Sequence, residues 1–180
     1  ILWIFLISAG IQFLFFSIVA IAIAVYKSPE LSPDQRPGIS VIVCAKNEYE
    51  NLLKLIPVLL KQNHPNFEVI LVDDKSSDET YDYAIELELR EKLFKLLRID
   101  ETPDHIHNKK YGITLGVKAA KYDHVLLTDA DCMPSGDNWI SEMSKGFSSD
   151  NKSFVLGYSQ YETATGFLNQ FIKYETILTA

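Results

Sequence analysis

The chain has 180 residues and a formal net charge of −7. This length is enough to bury one hydrophobic core. The negative charge argues against nucleic acid as a partner, because binding to its phosphates needs clustered Lys and Arg. The two cysteines, Cys44 and Cys132, are far apart and form no C-x-x-C pair, which argues against a disulfide framework or a zinc site and fits a cytosolic domain. Because the sequence starts with Ile1 and stops at Ala180, we expect it to be a piece of a longer protein.

The first 26 residues contain no charged side chain. As a helix they would extend about 39 Å, which exceeds the roughly 30 Å of bilayer hydrocarbon. Trp3 and Tyr26 lie near the two ends, where interfacial aromatic residues are typical. We therefore predict a transmembrane helix over residues 1–26; a buried core helix and a signal peptide are the alternatives. Lys27 and Arg36 follow it and place the rest of the chain on the cytoplasmic side of the cell's inner membrane.

Residues 27–38 carry three prolines and a glycine and are predicted to be a linker. From residue 39 to residue 180, short apolar runs alternate with stretches that have helical periodicity. The predicted strands cover residues 39–45, 67–74, 93–99, 123–131 and 153–159. The predicted helices cover residues 47–63, 76–92, 108–121, 136–147 and 166–178. This alternation predicts one α/β domain with a mostly parallel sheet flanked by helices and joined by right-handed crossovers.

Local signals refine two of these helices. Asn47 with Glu50 and Ser76 with Glu79 have the spacing of capping boxes, and each pair predicts a helix start. Pro57 lies inside the first helical pattern of the domain and predicts a kink or break there.

Acidic residues follow three of the predicted strands. In an open parallel sheet, ligands bind beyond the carboxyl ends of the strands. Two like charges about 4 Å apart repel by roughly 4 kcal/mol at an effective dielectric constant of 20, so such a cluster needs a cation or a ligand. Mg²⁺ and Mn²⁺ prefer carboxylate and phosphate oxygens. The residues that follow the strands are Ala45, Lys46, Asn47, Glu48, Asp73, Asp74, Asp129 and Asp131.

Phosphate-binding glycine motifs are absent from the sequence, which has neither G-x-G-x-x-G nor a P-loop. If a nucleotide binds, a metal held by the "DAD" acids Asp129 and Asp131 would take over the task of a glycine loop. This pattern argues against a dinucleotide-dependent dehydrogenase and against a P-loop ATPase.

Three motifs in order then point to a family. The runs "PGISVIVCAKNEYENL", "FEVILVDDKSSDET" and "NKKYGITLGVKAAKYDHVLLTDADC" resemble the family 2 glycosyltransferases of the GT-A fold, in their membrane-anchored bacterial type. The resemblance covers roughly Pro37 to Phe147. It implies a GT-A, Rossmann-like sheet and transfer of a sugar from a nucleotide-diphosphate sugar to an acceptor, which is a sugar, a polysaccharide or a lipid-linked molecule.

The resemblance also implies roles at matching positions. Ala45, Asn47 and Glu48 match the segment that lines the nucleotide pocket, and Asp73, with Asp74 beside it, matches the acid that contacts the base or ribose. Asp74 could instead cap a turn.

Lys109 matches the lysine of the family motif G-K-x-x-A-L-N, although Asn108, Gly112 and Thr114 depart from that motif and Lys109 could be a solvated surface residue. Asp129 and Asp131 match the acids that hold a Mg²⁺ or Mn²⁺ ion and the diphosphate. That ion acts as a Lewis acid on the departing nucleoside diphosphate.

A general base is missing from this assignment. The chain has no Q-x-x-R-W motif, and neither Glu162 nor Glu175 has the setting expected of a base, so we expect the base beyond Ala180. Two rival functions stay open. One is a nucleotidyltransferase that makes a nucleotide sugar, which would usually carry a glycine-rich loop; the other is a non-catalytic, nucleotide-binding membrane module.

Overall fold

The computed structural model describes residues 2–25, 32, 36–101, 108–147, 154–157, 159, 161 and 164–179. The chain divides into two units, Ile1–Glu30 and Leu31–Ala180. The second unit contains the predicted α/β domain.

The described part of the first unit is one uninterrupted helix, α1, over Leu2–Val25. Its large apolar side chains are exposed, and they include Trp3, Phe13 and Phe15. Its segment Leu2–Ala22 is the part of the described chain that is long and apolar enough to cross a membrane, a property that signal sequences share.

The second unit is built on a four-stranded sheet. Its strands are β1 (Ile39–Ala45), β2 (Phe67–Asp73), β3 (Phe94–Arg98) and β4 (His124–Asp129). They are parallel and lie in the order β3-β2-β1-β4. The predicted fold class is therefore confirmed, whereas the predicted fifth strand is wrong for its described residues, since 154–157 and 159 are not in a strand.

The helices that follow the strands lie close to their predicted positions. They are α2 (Tyr49–Leu60), α3 (Thr80–Arg90), α4 (Asn108–Ala119), α5 (Trp139–Ser144), followed by a 3₁₀ turn at Lys145–Phe147, and α6 (Phe167–Thr179). The chain passes from β1 to β2 to β3 in one direction and then returns to place β4 on the other side of β1. This reversal opens a crevice at the carboxyl ends of β1 and β4, where doubly wound folds bind ligands.

The continuous apolar runs of β1 and β2 are explained by burial on both faces of the sheet. Successive strand side chains point to opposite faces, so Ile42 and Ile70 pack with Leu115 of α4 on one face. Val41 and Val43 lie in the core on the other face. That core also contains residues of β2, α2, α3 and α5, among them Val69, Leu71, Leu52, Leu55, Ile56, Leu59, Ala84 and Ile140.

Helix α4 approaches the sheet closely because two glycines face it. A Cβ atom at Gly116 would lie 2.6 Å from Cγ2 of Ile42, and one at Gly112 would lie 3.3 Å from Sγ of Cys44. The two glycines are four residues apart and therefore share one face of the helix. Their conformational freedom lowers helix propensity, but their small size lets α4 pack against β1.

The predicted break at Pro57 is wrong, because α2 continues through it to Leu60. A proline at this position removes the hydrogen bond to the carbonyl of Leu53. Both residues are exposed, so water can satisfy that carbonyl, while Leu55 and Ile56 beside them are fully buried and hold the helix on the sheet.

Both predicted capping boxes are also wrong. The N-cap residues are Glu48 for α2 and Glu79 for α3, and neither side chain makes a capping hydrogen bond. Asn47 has a left-handed backbone with φ of 56°, which delays the start of α2. The expected capping side chains instead join the two loops to each other.

Candidate functional site

A cavity of about 260 Å³ lies at the carboxyl ends of the parallel strands. The strand register places Ala45 of β1 beside Asp73 of β2, and Cys44 beside Asp129 of β4. The polypeptide that leaves each strand therefore borders the same space. The lining residues are Cys44, Ala45, Lys46, Glu48, Val72, Asp74, Ile99, Lys109, Gly112, Asp129, Ala130 and Asp131.

One wall of the cavity consists of two loops that are hydrogen-bonded to each other. The backbone N–H of Asn47 donates to Oγ of Ser76 at 2.9 Å, and Oδ1 of Asn47 accepts the N–H of Ser77 at 2.8 Å. The N–H of Glu48 donates to Oγ1 of Thr80 at 3.0 Å. These bonds fix the loop after β1 against the loop after β2, so the backbone at Ala45 and Glu48 is held in place before any ligand arrives.

The two acids after β2 have different environments. Asp73 is fully buried, and its Oδ1 accepts the N–H of Ser76 at 3.2 Å. Asp74 donates its N–H to the carbonyl of Ala45 at 2.8 Å and lines the cavity. Within the described part of the chain, Oδ2 of Asp73 and Oδ1 of Asp74 are buried without a hydrogen-bond partner. A buried carboxylate oxygen of this kind requires a donor or a cation.

On the opposite wall, Lys109 of α4 reaches across to Asp129 at the end of β4. The distance from Nζ of Lys109 to Oδ1 of Asp129 is 2.8 Å. The hydrogen bond to Asp129 raises the pKa of Lys109, so the lysine is a cation at neutral pH. Asp129, one of the two "DAD" acids, is therefore paired with a cationic side chain of the protein itself.

The second of these acids, Asp131, lies in the turn that follows β4. This turn is closed by the N–H of Cys132, which donates to the carbonyl of Asp129 at 3.2 Å. The side chain of Asp131 is exposed at the cavity, and the thiol of Cys132 donates to its Oδ1 at 3.6 Å. Burial and the neighbouring Asp131 raise the pKa of Cys132, which keeps this sulfur a thiol and fits a packing role.

Part of the cavity lining is apolar. Val72, Ile99 and Gly112 form this part together with Cys44. Burial raises the pKa of Cys44, and the positive charge of Lys109 opposes this effect. A protonated thiol against a glycine face is a packing arrangement and lacks the thiolate that a nucleophile needs.

The donor set of the site suits a hard divalent cation whose remaining ligands come from phosphate. Asp129 and Asp131 present carboxylate oxygens at the cavity, and Mg²⁺ usually takes only one or two protein carboxylates. Among the described residues no group of three His, Cys, Asp or Glu side chains is arranged to hold a metal alone. A metal centre with three or more protein ligands therefore does not fit the described residues, whereas an ion that Asp129 and Asp131 hold together with water or a diphosphate does.

The predicted site residues divide into two sets. Ala45, Glu48, Asp74, Lys109, Asp129 and Asp131 line the cavity. Asn47 and Asp73 are not among the lining residues: Asn47 borders a separate small cavity with Glu48 and Asp78, and Asp73 is fully buried.

Sequence reasoning placed Lys46 after β1 without giving it a role, and it missed Ile99 and Gly112 as lining residues. Gly112 carried a usable signal, because a glycine four residues before Gly116 in a helical pattern marks a face of close approach. Glu162 lies outside the described residues, and so does the side chain of Glu175.

Comparison with known proteins identifies relatives of this chain. The sequence profile described as Glycosyl transferase family 2 matches residues 40–174. Poly-beta-1,6-N-acetyl-D-glucosamine synthase of Staphylococcus aureus is 26% identical over 111 residues, which are 62% of this chain and 26% of that protein. Glycosyltransferase GlyG of Streptococcus pneumoniae is 26% identical over 129 residues, which are 71% of this chain and 41% of that protein. The chain therefore spans between a quarter and a half of these relatives.

A solved structure has the same fold. The mannosyltransferase PcManGT from Pyrobaculum calidifontis, in complex with GDP-Man and Mn²⁺, superposes with a TM-score of 0.61 over 76% of this chain and 39% of its own. The two sequences are 21% identical over that region. The likeness extends beyond the four strands to most of the α/β domain.

Proposed function

The chain belongs to glycosyl transferase family 2, and from this premise we propose that its α/β domain binds a nucleotide-diphosphate sugar for transfer to an acceptor. The observation that carries the proposal is the cavity at the switch point of the sheet, where Asp74, Lys109, Asp129 and Asp131 converge. The acidic and basic groups that line this cavity suit a diphosphate with its cation, and the diphosphate would lie between the nucleoside and the sugar.

The residues of the cavity have distinct parts in this proposal. The loop after β1, with Ala45 and Glu48, forms the nucleoside side, and Asp74 offers a buried acceptor oxygen to base or ribose donors. Asp73 stabilises the loop after β2, because its Oδ1 accepts the N–H of Ser76. Asn47 links the loop after β1 to that loop, because its Oδ1 accepts the N–H of Ser77.

Asp129 and Asp131 are the proposed ligands of a Mg²⁺ or Mn²⁺ ion. When bound, the ion stabilises the negative charge of the departing nucleoside diphosphate. Lys109 adds a positive charge at the same place. The superposed mannosyltransferase, which was solved with GDP-Man and Mn²⁺, agrees with this choice of ion.

The acceptor in this proposal is a polysaccharide or a lipid-linked sugar. One relative is named a poly-beta-1,6-N-acetyl-D-glucosamine synthase, which makes a polymer of sugars. Helix α1, with the apolar segment Leu2–Ala22, would anchor the domain to the inner membrane and leave the cavity in the cytoplasm.

The test is the binding of UDP and GDP to the purified chain by calorimetry, with Mn²⁺ and then with EDTA. We expect at least one nucleotide to bind only when Mn²⁺ is present. Asp131→Asn should weaken that binding by about 10- to 100-fold, the size typical of a damaged metal site. Asp123→Asn is the matched control, because Asp123 is an exposed acid at the opposite end of β4. Equal binding in EDTA would remove the metal from the proposal, and no binding of either nucleotide would contradict the proposal itself.

A further inference from the structure

The carboxylate proposed to hold a metal is already paired with a lysine of the same chain. Nζ of Lys109 lies 2.8 Å from Oδ1 of Asp129, well within the distance of a charge-assisted hydrogen bond. Lys109 is in the first turn of α4, and Asp129 is the last residue of β4. The pair therefore joins the first turn of α4 to the carboxyl end of β4 across this cavity.

The position of Lys109 is fixed by the backbone that carries it. Gly112, one turn further along α4, lies against Cys44, and Gly116 lies against Ile42. Because these contacts hold α4 on β1, the first turn of the helix stays beside the end of β4. The side chain itself remains free to move, since 65% of its surface is exposed and its stem has four rotatable carbons.

The charges that line the cavity explain why the pair forms. Four carboxylates and two lysines line it, namely Glu48, Asp74, Asp129, Asp131, Lys46 and Lys109. The lining is therefore negative, and in the absence of another cation an ammonium group at Asp129 reduces the repulsion between Asp129 and Asp131.

We propose that Lys109 is an internal counter-ion of Asp129 which a divalent cation displaces, and that the released ammonium then contacts the diphosphate of the donor. This inference rests on the proposed function, and it adds an exchange between two cations at one carboxylate. Before the nucleotide binds, Lys109 and the divalent cation compete for Asp129. Once the diphosphate is present, both positive charges stabilise it. Lys109 would therefore lower the affinity for the metal in the absence of nucleotide and raise the affinity for the nucleotide when the metal is bound.

The solvent exposure of the Lys109–Asp129 ion pair limits how strongly Lys109 should affect metal binding. Exposed ion pairs contribute little, so the competition should weaken metal binding by only about twofold to fivefold. A diphosphate carries more charge than one carboxylate, and loss of the lysine should therefore weaken nucleotide binding by at least about tenfold.

The first experiment measures Mn²⁺ affinity without nucleotide, by electron paramagnetic resonance of free Mn²⁺, on the whole chain in detergent. Lys109→Gln should bind Mn²⁺ more tightly than the unsubstituted chain, whereas Lys109→Arg, which keeps the charge, should not. Lys110→Gln is the matched control for a general loss of charge, because Lys110 is the next residue, is exposed, and makes no ion pair with any described residue.

The second experiment measures the affinity for UDP and GDP in saturating Mn²⁺ on the same variants. The proposal requires that the substitution change the two affinities in opposite directions. Lys109→Gln should bind Mn²⁺ alone more tightly and bind the nucleotide more weakly. A loss of both would indicate a purely structural lysine, and an effect on neither would indicate a solvated one; each result overturns the proposal while leaving metal-dependent nucleotide binding intact.

A third readout is independent of metal and nucleotide. Acetylation of lysines, followed by mass spectrometry, should modify Lys109 more slowly than Lys110, and Asp129→Asn should remove the difference. Addition of Mn²⁺ should also accelerate the modification of Lys109. If Lys109 reacts at the same rate in the unsubstituted chain and in Asp129→Asn, the ion pair does not exist in solution and the proposal fails. If the pair is present but Mn²⁺ and nucleotides bind no variant, the proposed function fails and the exchange fails with it.

Discussion

Asp78 joins the two loops that border the cavity. Its Oδ1 accepts the N–H of Thr80 at 3.1 Å, and its Oδ2 accepts the N–H of Tyr49 at 3.3 Å. It therefore caps the first turn of α2 and the first turn of α3 together. Desolvation raises the pKa of Asp78, but hydrogen bonds from Thr80 and Tyr49 outweigh it and hold the pKa below its usual value. Glu79, the residue suggested by the capping-box pattern, makes no such bond.

These contacts predict a difference between two neighbouring acids. Asp78→Ala should lower the free energy of unfolding by about 1–2 kcal/mol at neutral pH, as expected for loss of a helix cap. Glu79→Ala should change it by no more than about 0.5 kcal/mol, which is usual for exposed surface sites. Urea denaturation of both variants checks this prediction.

The contribution of Asp78 should depend on pH in a defined direction. Because its pKa is lower in the folded state than in the unfolded state, its stabilisation is present above the ordinary value of about 4 and disappears as the pH falls through the folded-state pKa. Unfolding at pH 7 and at about pH 2.5 compares the two conditions. An unchanged difference between the parent chain and Asp78→Ala at both pH values would mean that the carboxylate charge has no part in the cap.

At the scale of elements, the packing of α4 on β1 decides the shape of the cavity. Gly112 and Gly116 bring the helix axis close to the strand, and this approach places Lys109 beside Asp129. A helix with ordinary side chains on this face would lie further from the sheet. The ion pair therefore depends on two glycines in α4, although glycine has a low helix propensity.

Gly116→Ala should therefore destabilise the domain although alanine favours helices. The added Cβ would lie 2.6 Å from Cγ2 of Ile42, which is buried. Overpacking costs about 1–3 kcal/mol and helix propensity returns about 1 kcal/mol, so a net loss of up to about 2 kcal/mol is expected in urea denaturation. Gly136→Ala, with open space around its Cα, is the control. In an Ile42→Ala background the clash is absent, and a Gly116→Ala penalty that persists there would refute the steric explanation.

For the whole molecule, the central question is how the apolar helix and the α/β domain are disposed in the cell. Helix α1 exposes its apolar side chains over Leu2–Ala22 and has neither acidic residues in its first turn nor basic residues in its last. Transfer of this surface from water to lipid is strongly favourable. The proposed donor site would need access to nucleotide sugars, which are made in the cytoplasm.

We expect the chain to remain in membranes after carbonate extraction and its domain to face the cytoplasm. A cysteine placed at Ser32, an exposed position after α1, should react with a membrane-impermeant maleimide only after the cells are permeabilised. The unsubstituted chain, whose Cys44 and Cys132 are half-buried, gives the background. Labelling of Ser32→Cys in intact cells would reverse the topology, and recovery of a soluble, shortened chain would indicate a cleaved signal sequence instead.

Much of the fold could be predicted because it depends on local patterns. Continuous apolar runs predict strands buried on both faces, and β1 and β2 have that burial. The alternation of strands and helices predicts a parallel sheet, and acids at strand ends predict where a ligand binds. Each strand signal and each acidic strand end lies within about ten residues of sequence, and the order of these signals along the chain gave a fold class and a family that agreed with the structure and the comparisons.

Other features were decided only by tertiary structure, because they depend on residues distant in sequence. Asn47 and Ser76 have the pattern of caps for their own helices, yet they bind each other across 29 positions. Two adjacent acids, Asp73 and Asp74, are alike in sequence, but in the fold Asp73 is fully buried and Asp74 lines the cavity. The cation at Asp129 is Lys109, twenty residues away. Local sequence specifies which groups can pair, but the choice among possible partners is made by the folded backbone that brings them within hydrogen-bonding distance.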